Sequence, residues 1–336
     1  MPLFFSFIIP VYNRPQELKE LLQSLSQLQY EDAYEVVIVE DGSQEDAESI
    51  LEEFRSQLTI QYLKKPNTGP GDSRNYGMRR AKGNYFIILD SDCLLPRDYL
   101  LKVAASLDAE YVDCYGGPDT AHDSFSATQK AINYAMTSAF STGGIRGSKR
   151  AVGKFQPRSF NMGISKKAFE STEGFGSIHP GEDPDLSIRL WKKGFSTKLI
   201  PEAYVFHKRR IAFKQFFKQV TKFGKVRPIL NLWHPGTAKI TYWFPTLFCL
   251  GFLISVALLF VLPWPYNIVP MGIYLLYFIL IFFDALVKTK NLWVGFSASI
   301  AVAIQFAGYG LGFLKSTILV NFTRRKPQEI FPELFF

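Results

Sequence analysis

Two short acidic clusters carry most of the chemistry this sequence can do. Asp90-Ser91-Asp92 follows directly on the apolar run Ile87-Ile88-Leu89, so two carboxylates one residue apart stand where a buried strand ends and the chain turns. Both can face one hard cation. Mg2+ or Mn2+ held by so few protein oxygens keeps open positions for substrate phosphates, whereas the competing reading is a solvated turn with capping aspartates. Glu182-Asp183 opens a helical pattern through Leu186, Ile188, Leu190 and Trp191 that stops at Gly194. Helix capping is the ordinary duty of such a pair.

Positioning these groups requires a particular scaffold. Phe4 to Ile9 reads as a strand, and Leu18, Leu21, Leu22 and Leu25 follow at helical spacing after Pro15. Val36 to Val39, Thr59 to Leu63 and Tyr85 to Leu89 repeat the apolar run, each followed by a helical pattern or a polar turn. Continuous apolar strands alternating with amphipathic helices predict a parallel sheet covered on both faces. Ligands of such sheets lie beyond the carboxyl ends of the strands, and those ends carry Asn13, Asp41 and the Asp90/Asp92 pair. From Thr142 to Arg158 the pattern gives way to Gly143, Gly144, Gly147 and Gly153 among Arg146, Lys149, Arg150 and Lys154. A long glycine-rich basic loop suits a lid over a phosphate.

The blocks Ile9-Pro10-Val11-Tyr12-Asn13-Arg14, Val37-Ile38-Val39-Glu40-Asp41-Gly42-Ser43, Gly71-Asp72-Ser73-Arg74-Asn75-Tyr76-Gly77, Asp90-Ser91-Asp92 and Gly181-Glu182-Asp183-Pro184-Asp185-Leu186 stand in an order and spacing that resembles the family 2 glycosyltransferases. The likeness covers residues 3 to about 210 and implies a GT-A fold, an α/β nucleotide-sugar-binding (Rossmann-like) domain. The family more often has Glu where Arg14 stands and Asp-Asp where Glu40-Asp41 stands.

By that resemblance Pro10, Tyr12 and Asn13 line the nucleoside pocket and Asp41 bonds the base. Arg74 faces the phosphates or holds the Asp90 region, and Asp90 contacts ribose or metal. Asp92 becomes the principal ligand of Mg2+ or Mn2+, with His207 as a third ligand, and Asn161 belongs to the donor-sugar segment. The acid at Asp183 is the general base that takes the acceptor hydroxyl proton, with Glu182 orienting it. One base opposite the leaving group is what a single displacement with inversion needs. The competing reading is an inactive GT-A scaffold in polysaccharide assembly or export. A nucleotide hydrolase or phosphotransferase is disfavoured, since the sequence has neither GKS/GKT nor GxGxxG.

The second half of the chain is of another kind. From Ile240 to Phe283 there is no charged side chain, and from Asn291 to Leu314 there is none again. About 20 apolar residues span a bilayer core, so the expected organisation is a catalytic domain at 1–210, a basic interfacial segment at 211–239, two to three transmembrane helices within 240–320 (240–262, 266–287, 292–314) and a tail at 321–336. The net charge of +8 comes from one stripe: Ala203 to Lys239 holds nine Lys and Arg and no acid. Within it Phe213, Phe216, Phe217 and Val220 oppose Lys214, Lys218, Lys222 and Lys225, the pattern of a helix lying on a membrane. Gln219, Gly224 and Arg227 resemble the interfacial segment of members that handle lipid-linked acceptors.

A basic flank before a span belongs on the cytoplasmic side, so a multi-pass membrane protein with a cytoplasmic catalytic domain is expected. The expected partners are a nucleotide-sugar donor, a lipid-linked or glycan acceptor and membrane lipids. Nucleic acid is not among them, because no recognised nucleic-acid module accompanies the charge. Cys93, Cys114 and Cys249 lack metal-ligand spacing and read as reduced thiols. Met1 to Pro10 reads as a strand and not as a signal peptide.

Overall fold

The computed structural model describes residues 2–120, 125–142, 154–208 and 212–336. The loop expected to form a lid falls mostly within 143–153, outside the described residues. In chain order the first elements are β1 (Phe5–Val11), α1 (Pro15–Leu25), β2 (Tyr34–Asp41), α2 (Glu48–Leu51), β3 (Ile60–Lys65), α3 (Pro70–Arg80), β4 (Tyr85–Leu89) and β5 (Cys93–Leu94). Then come α4 (Tyr99–Ala109), β6 (Cys114–Gly116), β7 (Asp119–Thr120), α5 (Ala127–Thr137), α6 (Ala139–Thr142), β8 (Asn161–Ser165), α7 (Lys166–Thr172), α8 (Glu182–Lys192), β9 (Thr197–Leu199) and β10 (Val205–His207). Four long helices follow: α9 (Phe213–Trp233), α10 (Phe244–Val261), α11 (Val269–Thr289) and α12 (Leu292–Phe322). The chain divides into two compact units: Met1–His122, Arg146–Lys208 and Phe335–Phe336 form the first, and Asp123–Ile145 with Arg209–Leu334 the second.

In the first unit seven strands pair in the order β3-β2-β1-β4-β8-β6-β9. The apolar runs of these strands are buried on both faces. Phe5, Phe7, Ile9, Val36, Ile38, Tyr85, Ile87 and Leu89 enter one core, and Ile8, Val37, Val39, Phe86 and Ile88 enter the other. Pro15 starts α1, whose Leu18, Leu21, Leu22 and Leu25 are buried, as the 3.6-residue period requires. The sheet is mixed and not wholly parallel. β8 runs antiparallel between β4 and β6, because the chain re-enters the sheet from the side where β4 leaves it. A smaller sheet, β5-β10-β7, pairs His207 with Cys93 and Val205 with Asp119.

The second unit is built on α12. Ala131, Ile132 and Ala135 of α5, Phe216 and Val220 of α9, Ile281 and Ala285 of α11, and Ala298, Val302 and Phe306 of α12 share its core. The helix α5 belongs here although its sequence lies inside the catalytic segment. Tyr134 of α5 donates to Asp284 of α11 at 2.6 Å, and Lys288 reaches the same carboxylate at 2.8 Å. The expectation that the phenylalanine face of α9 meets lipid needs correction in part: Phe216 and Val220 are buried in the core shared with α12, while Phe217 is exposed. Gly224 is required by the same contact, since a Cβ there would stand 2.2 Å from the Tyr309 carbonyl oxygen. Among the described residues three helical stretches, Ile240–Val261, Tyr266–Thr289 and Leu292–Phe322, are long and apolar enough to cross a membrane.

Candidate active site

The carboxyl ends of β1, β2 and β4, the end of β10 and the N-terminus of α8 supply the polar groups of the site. β1, β2 and β4 are parallel, so the turns carrying Asn13, Asp41 and Asp90 emerge at one edge of the sheet. In the small sheet the pairing of β10 with β5 sets His207 beside the residue that follows the turn. As a result His207 Nε2 lies 3.1 Å from Asp92 Oδ1, and His207 Nδ1 is 3.8 Å from Asp119 Oδ2. The imidazole stacks on Phe160 with ring centres 4.8 Å apart. The other Asp92 oxygen accepts from Arg14 Nη1 at 2.5 Å. Burial alone would raise the Asp92 carboxyl, but His207 and Arg14 outweigh it and hold it well below the usual range.

Asp92, Cys93 and His207 form the group among the described residues whose ligand atoms lie within 4.8 Å of one another. Asp92 Oδ1 is buried and faces His207 Nε2, so a carboxylate oxygen and an imidazole nitrogen converge on one spot. The carboxylate oxygen suits Mn2+ or Mg2+, and the imidazole nitrogen beside it favours Mn2+ over the harder Mg2+. Cys93 suits such an ion less and donates its thiol to the Phe160 carbonyl at 3.4 Å. Asp90 does not join this group. Its Oδ1 accepts from Arg74 Nη2 at 2.7 Å, so the two carboxylates of the motif are turned to different partners.

Arg74 is buried on α3, with Nη1 on Glu182 Oε1 at 3.1 Å and its guanidinium 5.3 Å from the Phe175 ring centre. Burial opposes its charge, yet Asp90, Glu182 and Asp183 around it keep the guanidinium firmly protonated. His179 Nδ1 meets the same Glu182 oxygen at 2.8 Å. Sequence reasoning missed His179, although it stands one turn before Glu182. Gly181, at φ 121, makes the bend that opens α8, and only glycine takes that conformation without strain. Burial would raise Glu182, but His179 and Arg74 lower it. Asp183 goes the other way: burial and the neighbouring Glu182 charge push it up to about 6, against Arg74, Arg158 and Ser159. Its Oδ1 is buried without a hydrogen-bond partner. Asp185, the last acid of that motif, pairs with Arg189 at 2.8 Å.

The remaining expected residues divide. Tyr12 is half exposed beside Pro10 at the β1 end. Asn13, at φ 51, receives Gln44 N at 2.8 Å. Asp41 Oδ1 accepts from Lys65 Nζ and from Thr68 N at 3.0 Å, and Oδ2 from Gly69 N at 3.1 Å, so it fixes the loop that starts α3. Asn161 is fully buried. It accepts from Tyr99 at 2.6 Å and donates to the Ala203 carbonyl at 2.8 Å, which holds β8 to its surroundings and leaves no exposed surface for a sugar.

A mixed α/β sheet with an acidic turn at the end of β4 and an acidic helix start facing the same arginine defines a GT-A fold. Residues 6–172 match Glycosyl transferase family 2, so the chain carries a domain of that family. The poly(ribitol-phosphate) beta-N-acetylglucosaminyltransferase TarS of Staphylococcus aureus is 33% identical over 112 residues, 32% of this chain and 20% of that protein. Chondroitin synthase of Escherichia coli is 42% identical over 89 residues, 26% of this chain and 13% of that protein. The matched stretch thus spans a fifth or less of these relatives. The solved mannosyltransferase PcManGT from Pyrobaculum calidifontis, in complex with GDP-Man and Mn2+, covers 96% of this chain and 88% of its own at a TM-score of 0.58 and 16% identity, a likeness of fold.

Proposed function

We propose that the chain is a membrane-anchored, inverting glycosyltransferase that moves a sugar from a nucleotide-sugar donor to a hydroxyl of a lipid-linked or growing cell-surface glycan. The observation that carries this reading is the Asp183 carboxylate. It sits at the start of α8 with one buried oxygen unpartnered and its acidity weakened to about 6, which is what a general base working near neutral pH needs. Glu182, fixed between Arg74 and His179, keeps a negative charge beside it and so maintains its basicity.

At the opposite acidic turn Asp92 and His207 would hold Mn2+ or Mg2+. Such an ion, when bound, offsets the negative charge that develops on a departing nucleoside diphosphate. Arg74 fixes Asp90 and Glu182 in one network and thereby ties the strand-end turn to the base-bearing helix. Tyr12, Asn13 and the Asp41-held loop are suited to the nucleoside. The basic stretch before α10 favours a cytoplasmic catalytic unit, where nucleotide sugars are made. TarS and chondroitin synthase, both named for glycan synthesis, support the acceptor class.

The test is Asp183→Asn in the full chain, with donor consumption followed against a panel of nucleotide sugars. Donor binding should survive while transfer falls by roughly 10²–10⁴. Near-normal turnover in folded protein would remove the base assignment.

A further inference from the structure

We infer that the chain crosses the membrane twice, by α10 and α11, and that α12 lies in the plane of the cytoplasmic interface as a lipid-facing platform, although its length and composition would let it span. This rests on the reading of the chain as membrane-anchored.

The argument starts from α9, which precedes the apolar hairpin. It bears Lys214, Lys218, Lys222, Lys225 and Arg227, and so many cations hold a helix at the headgroup level and out of the hydrocarbon. The second half of α12 is packed along this same helix. A Cβ on Gly312 would stand 2.3 Å from the Thr221 carbonyl oxygen, and one on Gly308 would stand 2.6 Å from a Val220 methyl. Ser316 Oγ donates to the Lys225 carbonyl at 2.6 Å. The tail after α12 returns to α9 as well, with Lys225 Nζ on Glu333 Oε1 at 2.7 Å and 5.3 Å from the Phe331 ring centre. The end of α12 is therefore on the side of α9.

Its start is on that side too. α10 leaves α9 and α11 comes back, ending at Lys288 and Lys290, one residue before the Asn291 side chain caps α12. A helix of 31 residues is about 46 Å long, and with both ends at one interface it must lie along it. Its exposed residues fit this placement. Trp293, Phe296, Ile300, Leu311, Ile318 and Phe322 are exposed and recur at helical spacing, which gives one apolar stripe. Lys315 is exposed among them, where a headgroup accommodates it. The hairpin differs, with Leu253, Phe260, Leu275 and Phe283 exposed on both arms. The structure thus assigns the α12 stripe to the acyl boundary of a lipid surface.

Single cysteines placed in a background lacking Cys93, Cys114 and Cys249 test this in sealed membrane vesicles of known orientation with an impermeant maleimide. Lys218→Cys on α9 and Arg325→Cys after α12 should label from one side, and Trp264→Cys at the hairpin tip from the other. Labelling of Arg325→Cys together with Trp264→Cys would overturn the in-plane helix while leaving the membrane reading intact. Labelling of all three from one side would overturn the crossing hairpin and the membrane reading with it. A nitroxide at Phe296, Ile300, Leu311 and Ile318 in turn gives a second readout. Uniform shallow immersion is expected, and a steady gradient of depth from Phe296 to Ile318 would overturn the proposal.

Discussion

Arg14 donates to Asp92 at 2.5 Å, so a cation from the chain itself occupies one oxygen of the carboxylate best placed to hold a metal. Arg14 also stands where the resemblance to the family 2 glycosyltransferases leads one to expect an acid. A positive side chain there competes with a divalent ion for the same oxygen, while His207 faces the other.

Arg14→Gln should therefore tighten Mn2+ binding in the presence of a nucleoside diphosphate, by about tenfold if the pair is comparable to a charge-assisted hydrogen bond of 1.5–3 kcal/mol partly screened at this half-exposed position. Calorimetric titration of the variant measures it. Weaker binding would mean that Arg14 orients Asp92 for the ion and does not compete with it.

With Asp183 as the proposed base, the acid limb of the pH–rate profile should fall near pH 6, because a base must be ionised to accept a proton and the acidity of Asp183 is weakened to about 6. Activity is full above that value and lost as pH drops through it. Glu182→Gln removes a charge that raises Asp183 and frees Arg74 to act on it, so the limb should move to lower pH. A limb that stays in place in Glu182→Gln would show that another group governs it.

Arg74→Met leaves the buried Glu182 and the partly exposed Asp90 without their shared cation. Removing one partner of a buried ionic network costs about 3–5 kcal/mol, so the midpoint of urea unfolding of the catalytic unit, followed by tryptophan fluorescence, should drop clearly. An unchanged midpoint would assign Arg74 to ligand contact alone.

Gly224→Val places side-chain atoms against the Tyr309 carbonyl and Phe313 backbone. Overpacking of this kind costs about 1–3 kcal/mol. The detergent-solubilised variant should unfold at lower temperature, whereas Gly194→Ala, with open space around it, should show only the cost of its positive φ.

Much of the catalytic unit could be read from the sequence because local patterns dictate it. The runs Phe7 to Ile9, Val36 to Val39 and Tyr85 to Leu89 are apolar at each position, and a strand covered on both faces needs that whatever its neighbours are. The acidic clusters announce themselves through residue type and position at element ends. Even the missed His179 was within reach, since it precedes Glu182 by one turn. The basic stripe and the charge-free runs likewise mark a membrane-associated half, because the cost of charge in hydrocarbon is a property of composition.

Tertiary structure alone decided the partners. Asp90 and Asp92 are alike in sequence, yet Arg74 from α3 takes one and Arg14 with His207 takes the other, through pairings of residues up to 115 positions apart (207 − 92). Asn161 sits in a motif that suggests sugar contact, but insertion of β8 between β4 and β6 buries it. The helix α5 reads as part of the catalytic segment until Ala131 and Ala135 are seen in the core of the second unit. Length and hydropathy let α12 pass as a span beside α10 and α11, because hydropathy counts side chains and is blind to which helix covers them; the pairing of Gly224 and Gly312 with facing backbones sets α12 against α9.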